Sequence, residues 1–316
     1  MRFRQHGRET QALVLVVVVS FLIVLLGILT RGRLLGFESL QSIAFQLPLL
    51  GILTLAQMTP MLTGGIDLSI ISTANLCGVV VAILMTRKGV SVLEAMFFGL
   101  LLALFLGFLK GLLIAWVSVP AIIATLGLMI FIEGISLVLT RGYVIAGFPG
   151  SFLFLGNGTV FGIPMPFVVF ALVVLFLYVL LTRTRFGTHV YLLGSNPVAT
   201  LFAGVNNSGV LFKTYLLSSF LAGIAGLVMI SRFNAAQADY GKSYLLLTVL
   251  ACVLGGVDPA GGFGHIPGVV VSIVVLQVVA TGFNLLGLSS HLASALWGLI
   301  LLGVITANRM LGGERT

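Results

Sequence analysis

Residues 13–29 and 168–181 each run without a single charged side chain, and several similar stretches lie between and after them. A helix needs roughly 17–25 apolar residues to cross a hydrocarbon core of ~30 Å. In lipid every backbone N–H and C=O must find a partner within the protein, so only helices and closed barrels cross. A barrel strand alternates polar and apolar residues, and these runs do not alternate. The chain therefore reads as an all-α polytopic membrane protein. Composition agrees: 59% of the 316 residues are hydrophobic and 8% are charged, against about 25% charged in soluble domains.

Hydropathy places spans near 11–30, 42–63, 70–86, 91–109, 120–140, 166–182, 210–231, 244–257, 267–283 and 292–308. These amount to about ten transmembrane helices in a single domain, 1–316. An even number returns both termini to one side. Arg2, Arg4 and Arg8 precede the first span, and Arg309 and Arg315 follow the last. Basic residues favour the cytoplasmic side, so both termini are expected there, although Arg31, Arg33, Arg87, Lys88 and Arg141 then fall outside. The first apolar stretch exceeds a secretory h-region and no small-x-small cleavage site follows. The net charge of +8 marks membrane edges and anionic lipid headgroups. No basic tract with interleaved aromatics points to nucleic acid. The two cysteines, Cys77 and Cys252, sit in apolar spans without metal or redox spacing. The connection 141–165, rich in Gly and Pro, reads as an external loop.

Two glycine-paired interruptions stand in the two halves of the chain: Thr63-Gly64-Gly65-Ile66-Asp67-Leu68-Ser69, and Gly255-Gly256-Val257-Asp258-Pro259 continuing to Gly264. Glycine pairs beside an aspartate let a helix stop and restart, with the carboxylate capping freed N–H groups. Paired interruptions are a sequence pointer to two related halves around a transport pathway; ordinary surface loops are the alternative. Gly64, Gly65, Asp67, Asn75, Glu133, Gly255 and Gly256 are the candidate pathway or gate residues. Charges at span depth are costly and face a cavity or a partner. Asp67 is expected to cap rather than touch solute, Glu133 to pair with Arg141, and Lys110 to snorkel to the interface. Gln57, Asn75, Thr125, Ser136, Gln277, Thr281 and Asn284 could serve a polar solute, or hold helices together by hydrogen bonds.

The longest mixed-polarity break is 183–213, bracketed by Arg183, Arg185 and Lys213 and hence assigned to the cytoplasm. No catalytic motif accompanies it. Gly241-Lys242-Ser243 has the ending of a phosphate loop, but Ala236 stands where that loop needs its first glycine. Any nucleotide chemistry thus belongs to another chain.

Gly64-Gly-Ile-Asp-Leu-Ser69, then Pro120-Ala-Ile-Ile-Ala-Thr-Leu-Gly127, then Phe186-Gly187, Gly194-Ser-Asn196 and Ala203-Gly204-Val-Asn206, then Val253-Leu-Gly255-Gly256 and Gly261-Gly262-Phe-Gly264 occur in this order. From about residue 40 to 305 the chain resembles the permease subunit of a bacterial ATP-binding-cassette sugar importer of the ribose type, and is also similar to autoinducer-2 permeases. The resemblance implies a bacterial inner-membrane protein that takes a sugar or related small polar solute from a periplasmic binding protein. It implies a second permease subunit, identical or paralogous, and two cytoplasmic ATPase domains that hold ATP and Mg, with no cofactor on this chain. Gly187, Gly194, Asn196, Ala199, Gly204 and Asn206 match the family's ATPase-coupling segment. Asp258-Pro259, His265 and Ile70-Ile71-Ser72 depart from the family pattern and leave the solute open. More distant relatives import nucleosides or branched-chain amino acids. An ion-coupled secondary transporter, with Asp67 and Glu133 as its carboxylates, is the alternative from another class.

Overall fold

The computed structural model describes residues 24–288, together with 292, 295–299 and 303. Its frame is helical. The long helices are α1 Phe37–Leu62, α2 Ile70–Arg87, α3 Val92–Gly111, α4 Ala121–Thr140, α6 Met165–Arg183, α9 Asn207–Phe233 and α11 Ile266–Leu285. Between them lie the shorter α5 Gly150–Asn157, α7 Arg185–Ser195, α8 Pro197–Phe202 and α10 Tyr244–Leu254. Among the described residues seven helices are long and apolar enough to cross a membrane. The spans expected at 11–30 and 292–308 lie largely outside the described residues.

Burial sorts six of these long helices into two layers, with α11 between them at 50% buried. In the most apolar window of α1, α2 and α9, 67%, 72% and 67% is buried, against 28%, 22% and 28% for α3 (with its continuation to Trp116), α4 and α6. The first three form the centre and the last three the perimeter. Small residues set this packing. Gly226 of α9 lies against Ala74 of α2, and Gly78 against Ile230 four residues on, so the two helices run parallel. Gly107 and Gly111 of α3 meet Leu216 and Phe212 in reverse order, so α3 runs antiparallel to α9. A methyl group at these glycines would collide with the neighbouring helix, and close backbone approach is the usual use of small residues between membrane helices.

Helix starts are set by local chemistry. Ser91 and Glu94 cap α3 reciprocally, which satisfies two orphan N–H groups. Pro197 and Pro267 occupy first-turn positions, where a missing N–H costs nothing. Thr54, Ser136 and Thr281 donate to carbonyls four residues back in their own helices, so their hydroxyls are satisfied internally. Gln277 reaches across to Gln46 at 3.2 Å.

The connection 141–165 is more ordered than turn chemistry alone indicates. It holds the strand β1 (Ile145–Ala146), α5, and the strands β2 (Thr159–Val160) and β3 (Ile163–Pro164), which form a hairpin. β1 pairs antiparallel with β4 (Ala235–Ala236), just beyond α9. α5 is pinned to the end of α9, where the Ser231 hydroxyl accepts from Gly156 N and donates to Phe152 O, both at 2.7 Å.

The span expected at 244–257 is corrected. Only Tyr244–Leu254 is helical, a length of roughly 16 Å at about 1.5 Å per residue, too short to cross alone. The missing length is made up by 234–243, which folds back along α2. Ala236 packs with Val79 and Ala82, while Ala238 and Tyr240 carbonyls accept from Asn75 Nδ2 at 3.1 and 2.9 Å. α10 then continues between α1 and α11, with Cys252 Sγ at 3.4 Å from Thr54 O and Ser272 Oγ at 2.6 Å from Ala251 O.

Candidate functional site

The 183–213 break is a pair of short helices at one end of the bundle. Thr184 Oγ1 accepts from Gly187 N at 3.3 Å and starts α7. Asn196 Oδ1 accepts from Ala199 N at 2.9 Å and starts α8. Asn206 Oδ1 accepts from Gly209 N at 2.9 Å and starts α9. Two of the predicted residues, Asn196 and Asn206, thus act locally as helix caps, with Ala199 as the receiving amide of the first. Gly204 has φ +78 with open space around it, so its glycine is demanded by the backbone and not by a neighbour.

Gly187 and Gly194 serve close approach. A Cβ on Gly187 would overlap the Leu181 backbone, fixing the sharp exit from α6. A Cβ on Gly194 would overlap Leu62 O and Gly262 N. Those two atoms are hydrogen-bonded to each other at 2.9 Å. Gly261, at φ +93, is wedged between Gly64 N and Gly194 O, and Gly64, at φ +80, lies against Ala260 O. Tyr191 of α7 donates to Gly264 O at 2.9 Å; burial pushes its phenol above the ordinary tyrosine range, so it stays a neutral donor at physiological pH. The two glycine interruptions therefore meet each other, and both meet the end of α7. They are reversal points, where α1 turns into α2 and α10 into α11, and the hinge-like break lies instead at 234–243.

α8 presents a feature that reading the segment for glycines missed. Val198, Leu201 and Phe202 are 63%, 62% and 87% exposed at the tip. Their spacing, one helical face directly after an Asn-Pro start, was the available signal. Exposed apolar side chains clustered on a segment outside the spans are the kind of surface on which partners dock. Arg183, Arg185 and Lys213 are exposed around its base.

Asp67 sits one step inward. Its side chain is fully buried, as is that of Lys110, and the two are paired at 3.0 Å. Lys110 also donates to Thr73 Oγ1 at 3.0 Å, Ser218 Oγ lies 3.3 Å from Asp67 Oδ2, and Ser69 donates to Asp67 Oδ1 through both N and Oγ. The carboxylate accepts from Ser69 just ahead of α2, whereas the first turn of α2 itself has no side-chain cap. The expectation that Lys110 snorkels is corrected: α3 places it inward, where Asp67 supplies the charge that makes burial tolerable. Thr125 of α4 ties the same reversal, accepting from Leu68 N and donating toward Ile66 O, both at 3.2 Å. Gly65 is held open by the Tyr215 hydroxyl. Gln57, Tyr215 and Ser219 are buried nearby in α1 and α9 with side-chain polar atoms that make no hydrogen bond, as does Asn75 Oδ1.

Glu133 is ion-paired with Lys242, not with Arg141, whose backbone turns left-handed at the end of α4. Gly255 packs on Val269 at the α10–α11 reversal, and Gly256 takes φ +83 beside open space. The seven candidate pathway residues are therefore not one cluster. Gly64, Gly65 and Asp67 belong to the α1–α2 reversal. Asn75 and Glu133 both attach to 234–243. Gly255 and Gly256 form the far side of the second reversal. Among the described residues no group of His, Cys, Asp and Glu could hold a metal ion.

Residues 39–305 match the family model described as the branched-chain amino acid transport system / permease component. The chain is 34% identical over 262 residues to the autoinducer 2 import system permease protein LsrD of Klebsiella pneumoniae subsp. pneumoniae, covering 81% of this chain and 79% of that protein. The LsrD protein of Enterobacter sp. is likewise 34% identical over 262 residues, covering 81% and 80%. That of Yersinia pseudotuberculosis is 30% identical over 309 residues, covering 96% of this chain and 91% of the relative. No solved structure matches the chain. With a family match over most of its length and a multi-pass helical frame, the chain belongs to the branched-chain amino acid transport system permease family.

Proposed function

We propose that the chain is the transmembrane permease subunit of an ATP-binding-cassette importer in a bacterial inner membrane. Its solute is a small, sugar-like molecule of the autoinducer-2 kind, handed over by a periplasmic binding protein. The permease works as a pair, identical or paralogous, above two cytoplasmic ATPase domains that carry the ATP and Mg. The observation that carries this reading is the α7–α8 pair: an apolar knuckle of Val198, Leu201 and Phe202 whose base is locked, backbone to backbone, onto both glycine reversals. A partner gripping the knuckle moves α7, and α7 cannot move without Leu62 and Gly262. ATP binding would then favour one arrangement of the spans by its unequal affinity for the two.

An ion-coupled secondary transporter would use Asp67 or Glu133 as a carboxylate free to bind and release its ion. Asp67 is fully buried against Lys110 and Glu133 is held by Lys242, which favours the ATP-driven reading. The test is Phe202→Asp. Losing a large apolar contact of about 1.5–3 kcal/mol should strip the ATPase subunit during co-purification and abolish uptake, while the unfolding temperature of the permease stays unchanged. Normal ATPase binding and uptake by this variant would overturn the assignment of the knuckle.

A further inference from the structure

Glu133, Asp239 and Lys242 are three charged side chains on a surface that also exposes Ser243, Ile130 and Leu246. Their depth follows from the packing. α4 begins beside the α1–α2 reversal, where Thr125 contacts Ile66 and Leu68, and ends at Thr140, so Glu133 lies about two turns inside the far end. The 234–243 connection descends from the level of Ala82 to that of Asn75, and Asn75 stands only five residues into α2. Lys242 follows directly, reaches Glu133, and feels the nearby Asp239 electrostatically. At that depth Lys242 is 59% exposed and Glu133 27%, Asp239 is exposed, and Ile130 and Leu246 beside them are 63% and 57% exposed.

Such a surface cannot face acyl chains. A charge at the centre of a membrane helix costs about 2.5–3.5 kcal/mol on insertion scales. Non-helical backbone at membrane depth is tolerated only inside protein or beside water. Here the inner side of the connection is covered by Asn75, and the outer side, with the charges, is open. We infer that Glu133, Asp239 and Lys242 form a water-lined wall of the solute passage and bind the hydroxyl groups of an uncharged, hydroxyl-rich solute. The identity of the solute rests on the function proposed above; the water-lined wall does not.

The donor set selects that class. Ionised carboxylates only accept and an ammonium only donates, so vicinal hydroxyls, which do both, can bridge the Glu133–Lys242 pair with charge-assisted bonds. Two carboxylates against one ammonium leave the wall net negative, which disfavours phosphate esters and other anions. The aliphatic surface of Ile130 and Leu246 suits the C–H face of a small sugar.

The experiment uses the full chain in the membrane with its transport partners. Asp239→Cys and Lys242→Cys, made singly, are treated with a permanently charged trimethylammonium methanethiosulfonate, with Leu172→Cys on the exposed outer face of α6 as the apolar control. Cys77 and Cys252 are fully buried and stay silent. Both wall cysteines should react at least about tenfold faster than the control, a gap of ~1.4 kcal/mol in barrier. Rates equal to the control would place the wall against lipid or a protein partner and overturn the inference. In the second arm, Glu133→Gln with Asp239→Asn should raise the half-saturating concentration for autoinducer-2 uptake by about tenfold or more relative to the native chain. Labelled cysteines with unchanged uptake affinity would leave a wet wall that binds nothing and overturn the recognition role. If the native complex takes up no autoinducer-2, the proposed solute fails, and the thiol rates still decide the wall.

Discussion

Lys110 has no exposed surface, and its ammonium reaches Asp67, Thr73 and nothing outside the bundle. Removing one partner of a buried pair leaves the other charge stranded, at a cost of about 3–5 kcal/mol, whereas replacing both is often neutral. Lys110→Met should therefore lower stability in detergent by about that amount, and adding Asp67→Asn should restore most of it; thermal unfolding of the two variants checks the difference. Gln57 gives the opposite sign. Both of its amide atoms are buried without a partner, so Gln57→Leu relieves a desolvation penalty of about 1–3 kcal/mol and should raise the unfolding temperature. A drop instead would mean that the amide has a partner in the assembled complex. Sequence alone singled out Asp67 and Glu133 as costly charges, because ionisable residues are rare within apolar runs. It gave Asp67 no ion-pair partner and paired Glu133 with Arg141, since the 43-residue separation of Asp67 from Lys110 and the 109-residue separation of Glu133 from Lys242 are closed only by helix packing.

At the scale of elements, α7 is the part whose local sequence and tertiary contacts agree most fully. Its glycines and its place outside the spans were legible from Gly187, Gly194 and the bracketing Arg183, Arg185 and Lys213, whereas its capping by Thr184 emerged from the structure. What was not legible is that Gly194 abuts Leu62 and Gly262. Gly194→Leu cannot be accommodated by a side-chain shift, because the colliding atoms are backbone. It should separate ATP hydrolysis from uptake, with hydrolysis retained and transport lost, as read in reconstituted vesicles. Tyr191→Phe removes one neutral hydrogen bond, worth about 0.5–1.5 kcal/mol, and should weaken the same linkage without abolishing it. The sign with pH follows from the raised phenol. A tyrosine whose folded pKa exceeds the ordinary value of 10.0 contributes fully below that value and is lost as pH rises through the folded pKa. The variant should therefore differ from the native chain at neutral pH and converge with it in strong alkali. α10 shows the converse case. Its apolar run of 244–257 reads as a span by hydropathy, yet 234–243 supplies the missing crossing length as two strand residues followed by turns, held by the Asn75 amide and β1.

For the whole molecule, helix order and the parity of crossings decide which ends face which compartment. A cytoplasm-active reporter fused after Gly204 or after Thr316 should be active, and one fused after Gly158 inactive, with the reverse pattern for a periplasm-active reporter. Activity of a cytoplasmic reporter at Gly158 would invert the orientation expected from the terminal arginines. The division between a buried centre of α1, α2 and α9 and a perimeter of α3, α4 and α6 leaves apolar faces outward. Hydropathy cannot make that division, because a helix packed among helices and one facing acyl chains are equally apolar.

The sequence by itself determined the class of solvent, the helical frame, the family and the position of the segment outside the spans. These follow from local quantities: run length, charge rarity, capping residues and ordered short motifs. The tertiary structure alone decided that the two glycine breaks are reversals in contact with each other and with Gly194, that Lys110 neutralises Asp67, and that a non-helical connection carries Lys242 to Glu133. Each of these joins residues far apart in the chain, and the interactions that join them, backbone close approach and charge pairing in a low dielectric, leave no periodicity in the sequence from which to read them.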